Sequence, residues 1–244
     1  MDAIDALAAD LESAETVVAL TGAGLSAPSG VPTFRGEDGL WERFDQGQFH
    51  LERFHSDPAG FWADRRELQA AMDLESVEPN AGHDALAELA AAGTLEAIAT
   101  QNVDGLHDPA AAAGAELLEL HGNSARVRCR ECERTRPSAS VTGLALPPRC
   151  DCGGIFKPDV VLFGERLPVA TLERARELAR ASDLFLAIGS SLVVEPAASL
   201  PRIAATSDAT LAVVNLESTP CDDLATYCIR EDVTDVLPSL AARV

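Results

Sequence analysis

Short, mainly apolar runs alternate with helical patterns along this chain, and the alternation leaves few folds open to it. The runs span residues 17–20, 95–99, 117–120, 184–188 and 211–214. Apolar residues at helical spacing precede four of them. Strands that are apolar on both faces are typical of a parallel sheet whose connections are helices. The sequence therefore predicts the α/β class, with a parallel sheet and helices on both faces.

Two stretches interrupt this alternation. Residues 31–73 are rich in Phe, Trp and charge, and residues 126–157 are rich in Cys, Arg, Pro and Gly. We interpret both as insertions that form a small second module. The predicted division assigns residues 1–30, 78–125 and 158–244 to the sheet domain. It assigns residues 31–77 to a helical insertion and residues 126–157 to a metal-binding module.

Four cysteines stand in two close pairs, Cys129 with Cys132 and Cys150 with Cys152. Four thiolates at this spacing can hold one tetrahedral Zn²⁺ and leave no position open, so the predicted role of the metal is structural. The second pair is one residue tighter than the usual spacing. Cys221 and Cys228 are interpreted as ordinary small apolar residues.

The charge of the chain limits its partners. Its 244 residues include 39 acidic and 19 basic side chains, for a net charge of -20, and all the basic residues are Arg except Lys157. Such acidity disfavours duplex nucleic acid and anionic membranes. The arginines near the cysteines could indicate a zinc ribbon that binds nucleic acid, but the acidic residues among them favour a solvated face. Carboxylate excess with almost no lysine favours a halophilic source over an ordinary acidic protein.

The N-terminal segment has neither the basic start nor the apolar core of a signal peptide, and no apolar run approaches the length of a membrane span. We therefore expect a soluble, cytoplasmic protein. In that reducing compartment, clustered thiols more often bind metal than form disulfides.

A Gly-rich segment, GAGLSA at residues 22–27, directly follows the first strand. It fits the pattern that lets backbone N–H groups approach a pyrophosphate. The pattern alone is weak, because prolines follow it and the acidic residue expected about 20 positions later is missing. A Gly-rich turn without a ligand is the alternative. Arg35, further along the loop, is a suitable phosphate partner.

Polar residues follow other strands at the edge where open α/β sheets bind ligands. They lie at residues 100–107, 121–123, 189–191 and 215–217. His121 in that position could act as a general base near neutral pH, although a lone histidine is more often a packed residue. For residues 100–107 the alternative is a capped turn that opens a helix, with Asn102 or Asp104 as the cap.

Together and in this order, these segments resemble the sirtuins, a family of NAD-dependent protein lysine deacylases, of the prokaryotic and archaeal type. The resemblance covers nearly the whole chain. Its motifs are GAGLSAPSGVPTFRG at 22–36, TQNVDGLH at 100–107, HGN at 121–123, the four cysteines, KPDVVLFGE at 157–165, GSSLVVEPA at 189–197 and VVNLE at 213–217. It implies a Rossmann-like domain with a small zinc module, and NAD and acyl-lysine meeting in the cleft between them.

The resemblance also implies roles for individual residues. His121 matches the catalytic base, and Asn102 and Asp104 match residues at the nicotinamide end. Residues expected to bind NAD are Gly22, Ala23, Gly24, Ser26, Phe34, Arg35, Trp41, Gln101, Asn102, Val103, Asp104, Gly189, Ser190, Ser191, Asn215, Leu216, Glu217 and Val233. The substrate peptide is expected to add as a strand between two segments, contacting Val161, Phe163, Gly164, Glu165, Leu192, Val193 and Val194.

The acyl preference depends on one departure from the family pattern. Sirtuins that remove succinyl or malonyl groups bind the acyl carboxylate with a Tyr-x-x-Arg pair. Here the matching segment keeps Arg65 but has Trp62 in place of the tyrosine. The prediction is deacetylation, with desuccinylation and demalonylation open. The alternative for Arg65 is a solvated helix residue facing Asp64 or Glu67.

Three functions therefore remain to be separated. The favoured one is deacylation, with transfer of the acyl group to ADP-ribose and release of nicotinamide. The second is mono-ADP-ribosyl transfer to protein from the same NAD site. The third is a non-enzymatic NAD-sensing or zinc-ribbon binding module. The lone Lys157 would be the only lysine that a deacylase could act on in itself.

Overall fold

A six-stranded parallel sheet forms the centre of the protein. The computed structural model describes residues 3–35, 39–107 and 114–244. Gly36, the last residue of the first motif, lies outside these ranges. The strands are β1 (Val17–Thr21), β2 (Ala97–Thr100), β3 (Glu116–Glu119), β7 (Leu184–Ile188), β8 (Thr210–Val214) and β9 (Tyr227–Ile229). Their order in the sheet is β3-β2-β1-β7-β8-β9.

Helices cover both faces of this sheet, as the apolar strands predict. Successive strand residues point to opposite faces, so Val17 and Ala19 pack on one side and Val18 and Leu20 on the other. The first side is covered by α1 (Ala3–Ser13), α6 (Ala81–Ala91) and α9 (Val233–Ala241), and the second by α7 (Val169–Ala181) and α8 (Leu200–Ala205). Within the described ranges, no helix is both long and apolar enough to cross a membrane.

The loop after β1 does not continue into a long helix. One turn of helix, α2 (Ala23–Ser26), passes into a 3-10 turn (Ala27–Ser29) that ends at Gly30. The φ of Gly30 is 91°, in the left-handed region that glycine adopts without steric penalty. The prolines on either side therefore break the helix where the sequence predicts.

The segment between β1 and α6 is helical. It contains α3 (Leu40–Arg43), a 3-10 turn (Gln46–Phe49), α4 (Leu51–Ser56) and α5 (Pro58–Met72). A second sheet, antiparallel in the order β5-β4-β6, consists of β4 (Gly122–Cys129), β5 (Thr135–Pro137) and β6 (Phe156–Val160). Phe61 and Trp62 of α5 share one apolar core with Val127 and Phe156 of this sheet. The two insertions are therefore packed against each other, and the assigned domain boundaries stay a prediction.

Candidate active site

A cavity of about 810 Å³ opens between the carboxyl ends of the central strands and the inserted segments. Of the residues predicted for the site, it is lined by Gly22, Ala23, Gly24, Phe34, Arg35, Trp41, Arg65, Gln101, Asn102, Val103, His121, Val161, Phe163, Gly164, Glu165, Gly189, Ser190, Ser191, Val194, Asn215, Leu216, Glu217 and Val233. Ser26, Trp62, Asp104, Leu192 and Val193 are not among the lining residues. The fold therefore brings most of the distant motifs to one place.

The glycines after β1 and β7 fit against each other. A Cβ on Gly22 or Gly24 would lie 2.8 Å from backbone atoms of Gly189, and a Cβ on Gly189 would lie 2.3 Å from the Leu25 nitrogen. The Gly24 N–H donates to the Gly189 carbonyl at 2.7 Å. Close approach of two backbone segments is thus one reason for glycine here, besides any contact with a ligand. None of these three glycines could accept a side chain unless the loops moved.

His121 follows the end of β3 by two residues, and one hydrogen bond fixes which nitrogen of its ring carries the proton. Its Nδ1 is 3.0 Å from the carbonyl oxygen of Gln101. A carbonyl can only accept, so Nδ1 carries the proton and Nε2 has the free lone pair. Burial lowers the pKa of His121; the bond to Gln101 opposes this effect, and the charge of Arg35 adds to it. The ring is therefore a neutral base at pH 7, with Nε2 able to take a proton.

Asn102 is buried in the cavity wall with its amide group oriented by the loop after β1. Its Nδ2 donates to the Gly22 carbonyl and to the Ser26 hydroxyl, both at 3.0 Å. Both N–H groups are thus used, and the Oδ1 acceptor remains for a ligand. The neighbouring Gln101 donates from Nε2 to the Ser190 hydroxyl at 2.8 Å, which ties the β2 loop to the β7 loop.

Ser26 and Asp104 lie behind the residues that line the cavity. Ser26 is fully buried and accepts from Asn102, so its hydroxyl holds a lining residue in place. Asp104 accepts from the Leu106 N–H at 2.9 Å and so closes a local turn. This matches the capped-turn alternative for Asp104, except that residues 101–107 contain no helix.

Two buried histidines behind Asn102 were not identified from the sequence. His83 Nε2 is 3.4 Å from the Ser26 hydroxyl, and His107 Nε2 is 2.9 Å from the Thr21 hydroxyl. Their rings are 5.2 Å apart. Burial lowers the pKa of His107 to about 3, and it also lowers the pKa of His83. Both are therefore neutral hydrogen-bonding residues near pH 7. His107 ends the TQNVDGLH motif, but the sequence does not show what either ring contacts.

The segment after β6 forms the opposite wall. The Val161 N–H donates to the His121 carbonyl at 2.9 Å, which ties this wall to the candidate base. Val194 lines the cavity from the β7 loop. Its neighbours do not line the cavity: Leu192 is buried with a φ of 53°, and Val193 is 55% exposed to solvent.

Comparison with known proteins identifies the family in which this combination of residues occurs. Residues 22–196 match the model of the Sir2 family. The chain belongs to the Sir2 family. An NAD-dependent protein deacetylase of the halophile Haloarcula marismortui is 54% identical over 251 residues, covering 100% of this chain and 95% of the relative. An NAD-dependent protein deacylase 2 of Archaeoglobus fulgidus is 41% identical and covers 100% and 96%.

Solved Sir2 structures share the fold. A complex described as Sir2 with a p53 peptide and NAD⁺ superposes with a TM-score of 0.85 at 37% identity, covering 97% of this chain and 96% of the other. A Sir2 enzyme bound to a propionylated peptide has a TM-score of 0.84 at 36% identity, with coverage of 96% and 95%.

The four predicted ligand cysteines of this Sir2 chain meet at one point. All four sulfur atoms lie within 4.8 Å of one another. The Sγ atoms of Cys129 and Cys152 are 3.5 Å apart, and those of Cys132 and Cys150 are 3.8 Å apart. A regular tetrahedron with Zn–S bonds of 2.3 Å has sulfur atoms about 3.8 Å apart. The cluster therefore fits a structural zinc ion, and the tight Cys150-x-Cys152 pair is compatible with it.

Arg65 reaches the cavity of this Sir2 chain, whereas Trp62 does not. Trp62 is buried in the core between α5 and the small sheet, where its indole Nε1 donates to the Phe156 carbonyl at 2.9 Å. The expectation that Trp62 contacts substrate therefore disagrees with its position. Arg65 is only 5% exposed, so the solvated-residue alternative for it is wrong.

Arg65 has few partners for a buried charge. Its Nη2 donates to the Ser124 hydroxyl at 2.9 Å, and its buried Nε has no hydrogen-bond partner among the described residues. Burial lowers the pKa of Arg65 to about 10. A guanidinium always carries its charge near neutral pH, so this cation remains at the cavity wall without a carboxylate within the described ranges.

Proposed function

We propose that this protein is an NAD-dependent protein lysine deacylase that transfers the acyl group from lysine to ADP-ribose and releases nicotinamide. One observation carries the proposal. His121 lines the cavity between the sheet and the insertions, and its ring is neutral with the lone pair on Nε2. Family membership and the deacetylases and deacylases similar over the whole chain support the same conclusion.

The expected role of His121 follows from its protonation state. NAD supplies an electrophilic anomeric carbon, which the acyl oxygen attacks, and a ribose hydroxyl, which later takes the acyl group. His121 Nε2 accepts the proton of that hydroxyl, while Nδ1–H stays on the Gln101 carbonyl and keeps the ring oriented. Because both N–H groups of the Asn102 amide are already used, its Oδ1 is expected to accept from an amide N–H of the nicotinamide end.

Aromatic rings on the other side of the cavity exclude water. Trp41 packs against Phe34, Phe49 and Phe163 with ring centroids 5.4, 5.9 and 5.3 Å away, and all four residues line the cavity. An apolar wall of this kind suits the methylene stem of an acyl-lysine. It also strengthens the charge interactions of the reacting groups by lowering the local dielectric constant.

We further propose that the enzyme accepts acyl chains that end in a carboxylate, such as succinyl and malonyl groups, besides acetyl. Arg65 supports this proposal, since it is a buried cation of the cavity wall with unused hydrogen-bond donors. A carboxylate can pair with such a guanidinium through two parallel hydrogen bonds. Trp62 plays no part in the proposal, because its indole is already used in the core.

The test is turnover of acetyl-, succinyl- and malonyl-lysine peptides, followed by nicotinamide release and by mass spectrometry of the products. Deacylation with His121→Ala inactive and NAD still bound is the expected result. ADP-ribose attached to the protein substrate would favour mono-ADP-ribosyl transfer instead. NAD binding without nicotinamide release from any peptide would favour a binding module.

We also propose a cytoplasmic enzyme adapted to concentrated salt. The support is the net charge of -20, the single lysine and the 54% identity to a halophilic relative. Equal stability of the fold in low salt and in molar KCl would contradict salt adaptation.

A further inference from the structure

The only lysine of the chain is buried at the start of the wall opposite the sheet. Lys157 belongs to β6, and its side chain is 10% exposed. Its Nζ donates to the Val160 carbonyl at 2.6 Å and the Pro158 carbonyl at 3.2 Å, and it lies 2.9 Å from Glu165 Oε2. An ammonium group has three N–H donors, so all of them are used.

The identity of the residue is informative because every other basic side chain in the protein is Arg. A guanidinium spreads five donors in a plane, whereas an ammonium is a compact charge whose three donors diverge. The three acceptors around Lys157 belong to two carbonyls and one carboxylate within eight residues of chain. Such a tight group suits the ammonium, which gives a local reason for lysine at this one position.

These acceptors enclose the segment 160–165, which lines the cavity throughout. Glu165 also accepts from the Leu162 N–H at 3.0 Å, and the Glu165 N–H donates to the Leu162 carbonyl at 3.0 Å. Lys157 therefore connects β6 to the far end of a closed turn. At its near end, the turn is attached to His121 through the Val161 N–H. A shift of the turn would thus move the wall and disturb the loop of the candidate base.

We propose that Lys157 is a positioning residue for the acyl-lysine peptide, acting through Glu165 and the turn 160–165 without touching the substrate. The proposal rests on the proposed deacylase function. It distinguishes two sides of the cavity: the peptide wall depends on Lys157, whereas the NAD side is built from the β1, β2, β7 and β8 loops. Loss of the ammonium is therefore expected to weaken peptide binding and to leave NAD binding unchanged.

The experiment compares Lys157→Met with Arg166→Met, which removes a positive charge from an exposed residue just beyond the turn. For Lys157→Met, the peptide KM is expected to rise about tenfold or more, since small misplacement of a binding wall has effects of this size. The NAD KM is expected to change far less than the peptide KM, whereas the midpoint of thermal unfolding is expected to fall, because Glu165 loses its buried partner. Arg166→Met should resemble the wild type in all three quantities.

Two measurements do not depend on turnover. Calorimetry of an acetyl-lysine peptide with the ADP-ribose-loaded protein should show the same loss of affinity. Amide hydrogen exchange at 161–165 should be faster in Lys157→Met, with exchange in β1 and β7 unchanged. If Lys157→Met does not fold, Glu165→Gln provides the same test with the ammonium retained and should show a smaller rise in peptide KM.

Each outcome bears on the proposal. An unchanged peptide affinity overturns it, and so does an equal loss of peptide and NAD binding, which would indicate a merely structural lysine. If Lys157→Arg binds the peptide as tightly as the wild type does, the claim that the compact ammonium is required is overturned. A wild type that binds peptide but turns over no acyl-lysine contradicts the proposed function, and peptide affinity then still tests the role of Lys157.

Discussion

Replacing Arg65 with Met should stabilise the protein while impairing one of its proposed activities. The fall in the pKa of Arg65 from 12.5 to about 10 corresponds to about 3 kcal/mol, at 1.36 kcal/mol per unit. The folded state thus holds the proton less tightly than the unfolded state, so it is destabilised at every pH below 10. This penalty fades only as the pH rises from 10 towards 12.5, and at neutral pH it is fully present.

Methionine keeps the apolar stem and removes the buried charge. The hydrogen bond to Ser124 is lost, at a cost of about 1 kcal/mol, so the net gain in the free energy of unfolding is about 2 kcal/mol. For a chain of this length, that gain raises the unfolding midpoint by about 4–8 °C. Arg66→Met is the matched control, because Arg66 is the next residue of α5 and donates at the surface to the Leu144 carbonyl. Its effect should stay within about 0.5 kcal/mol.

The assay has two arms, run at fixed salt and zinc concentrations. Thermal unfolding measures stability, and peptide turnover measures selectivity. With a succinyl-lysine peptide, kcat/KM of Arg65→Met should fall at least about 30-fold, equivalent to about 2 kcal/mol for losing one partner of a buried charge pair. Turnover of the acetyl peptide should change little. A lower unfolding midpoint together with unchanged succinyl turnover would refute the reasoning, because Arg65 would then be an ordinary core residue.

Four further predictions follow from the site. The acidic limb of kcat/KM should have its midpoint below pH 6.5, because the pKa of His121 is lowered and activity requires its neutral form; a midpoint above 6.5 would contradict this. Zinc removal, or Cys150→Ala, should lower the unfolding midpoint and loosen the small sheet by hydrogen exchange, whereas Cys228→Ala should not. Acetic anhydride should leave Lys157 unmodified in the folded protein and modify it after denaturation, as peptide mapping would show. Dilution from molar KCl to low salt should lower the unfolding midpoint, measured by circular dichroism.

The central strands were predictable because burial on both faces requires apolar residues at every position. The runs at 17–20, 184–188 and 211–214 agree with the observed strands to within one residue. The run at 95–99 was less accurate, since the strand itself is Ala97–Thr100. The helical pattern before the run at 211–214 forms a 3-10 turn (Ala197–Ser199) followed by α8, and not one continuous helix. The three-residue strand β9 is too short to show a period, and no prediction covered it.

The site was less predictable wherever its contacts join distant parts of the chain. The bond from Arg65 to Ser124 crosses 59 positions, and the contact of Thr21 with His107 crosses 86. Neither pair shares a local pattern, so only the fold could bring them together. Trp62 shows a limit of motif matching. Its position in the motif predicts substrate contact, but does not reveal that its indole N–H is satisfied inside the core.

The two buried Lys and Arg side chains of the described residues differ in how many of their N–H donors are paired. Lys157 has three donors and three protein acceptors, one of them the carboxylate of Glu165. Arg65 donates to one neutral hydroxyl, and its Nε has no partner among the described residues. A buried charge stabilises a fold only when it is fully paired. Lys157 is therefore expected to stay unacylated in the folded protein, although it is the only lysine that the sequence offers as a target. Arg65 destabilises the folded state until an anionic group enters the cavity. Its missing hydrogen-bond and charge partners are the physical argument for an anionic ligand at that position.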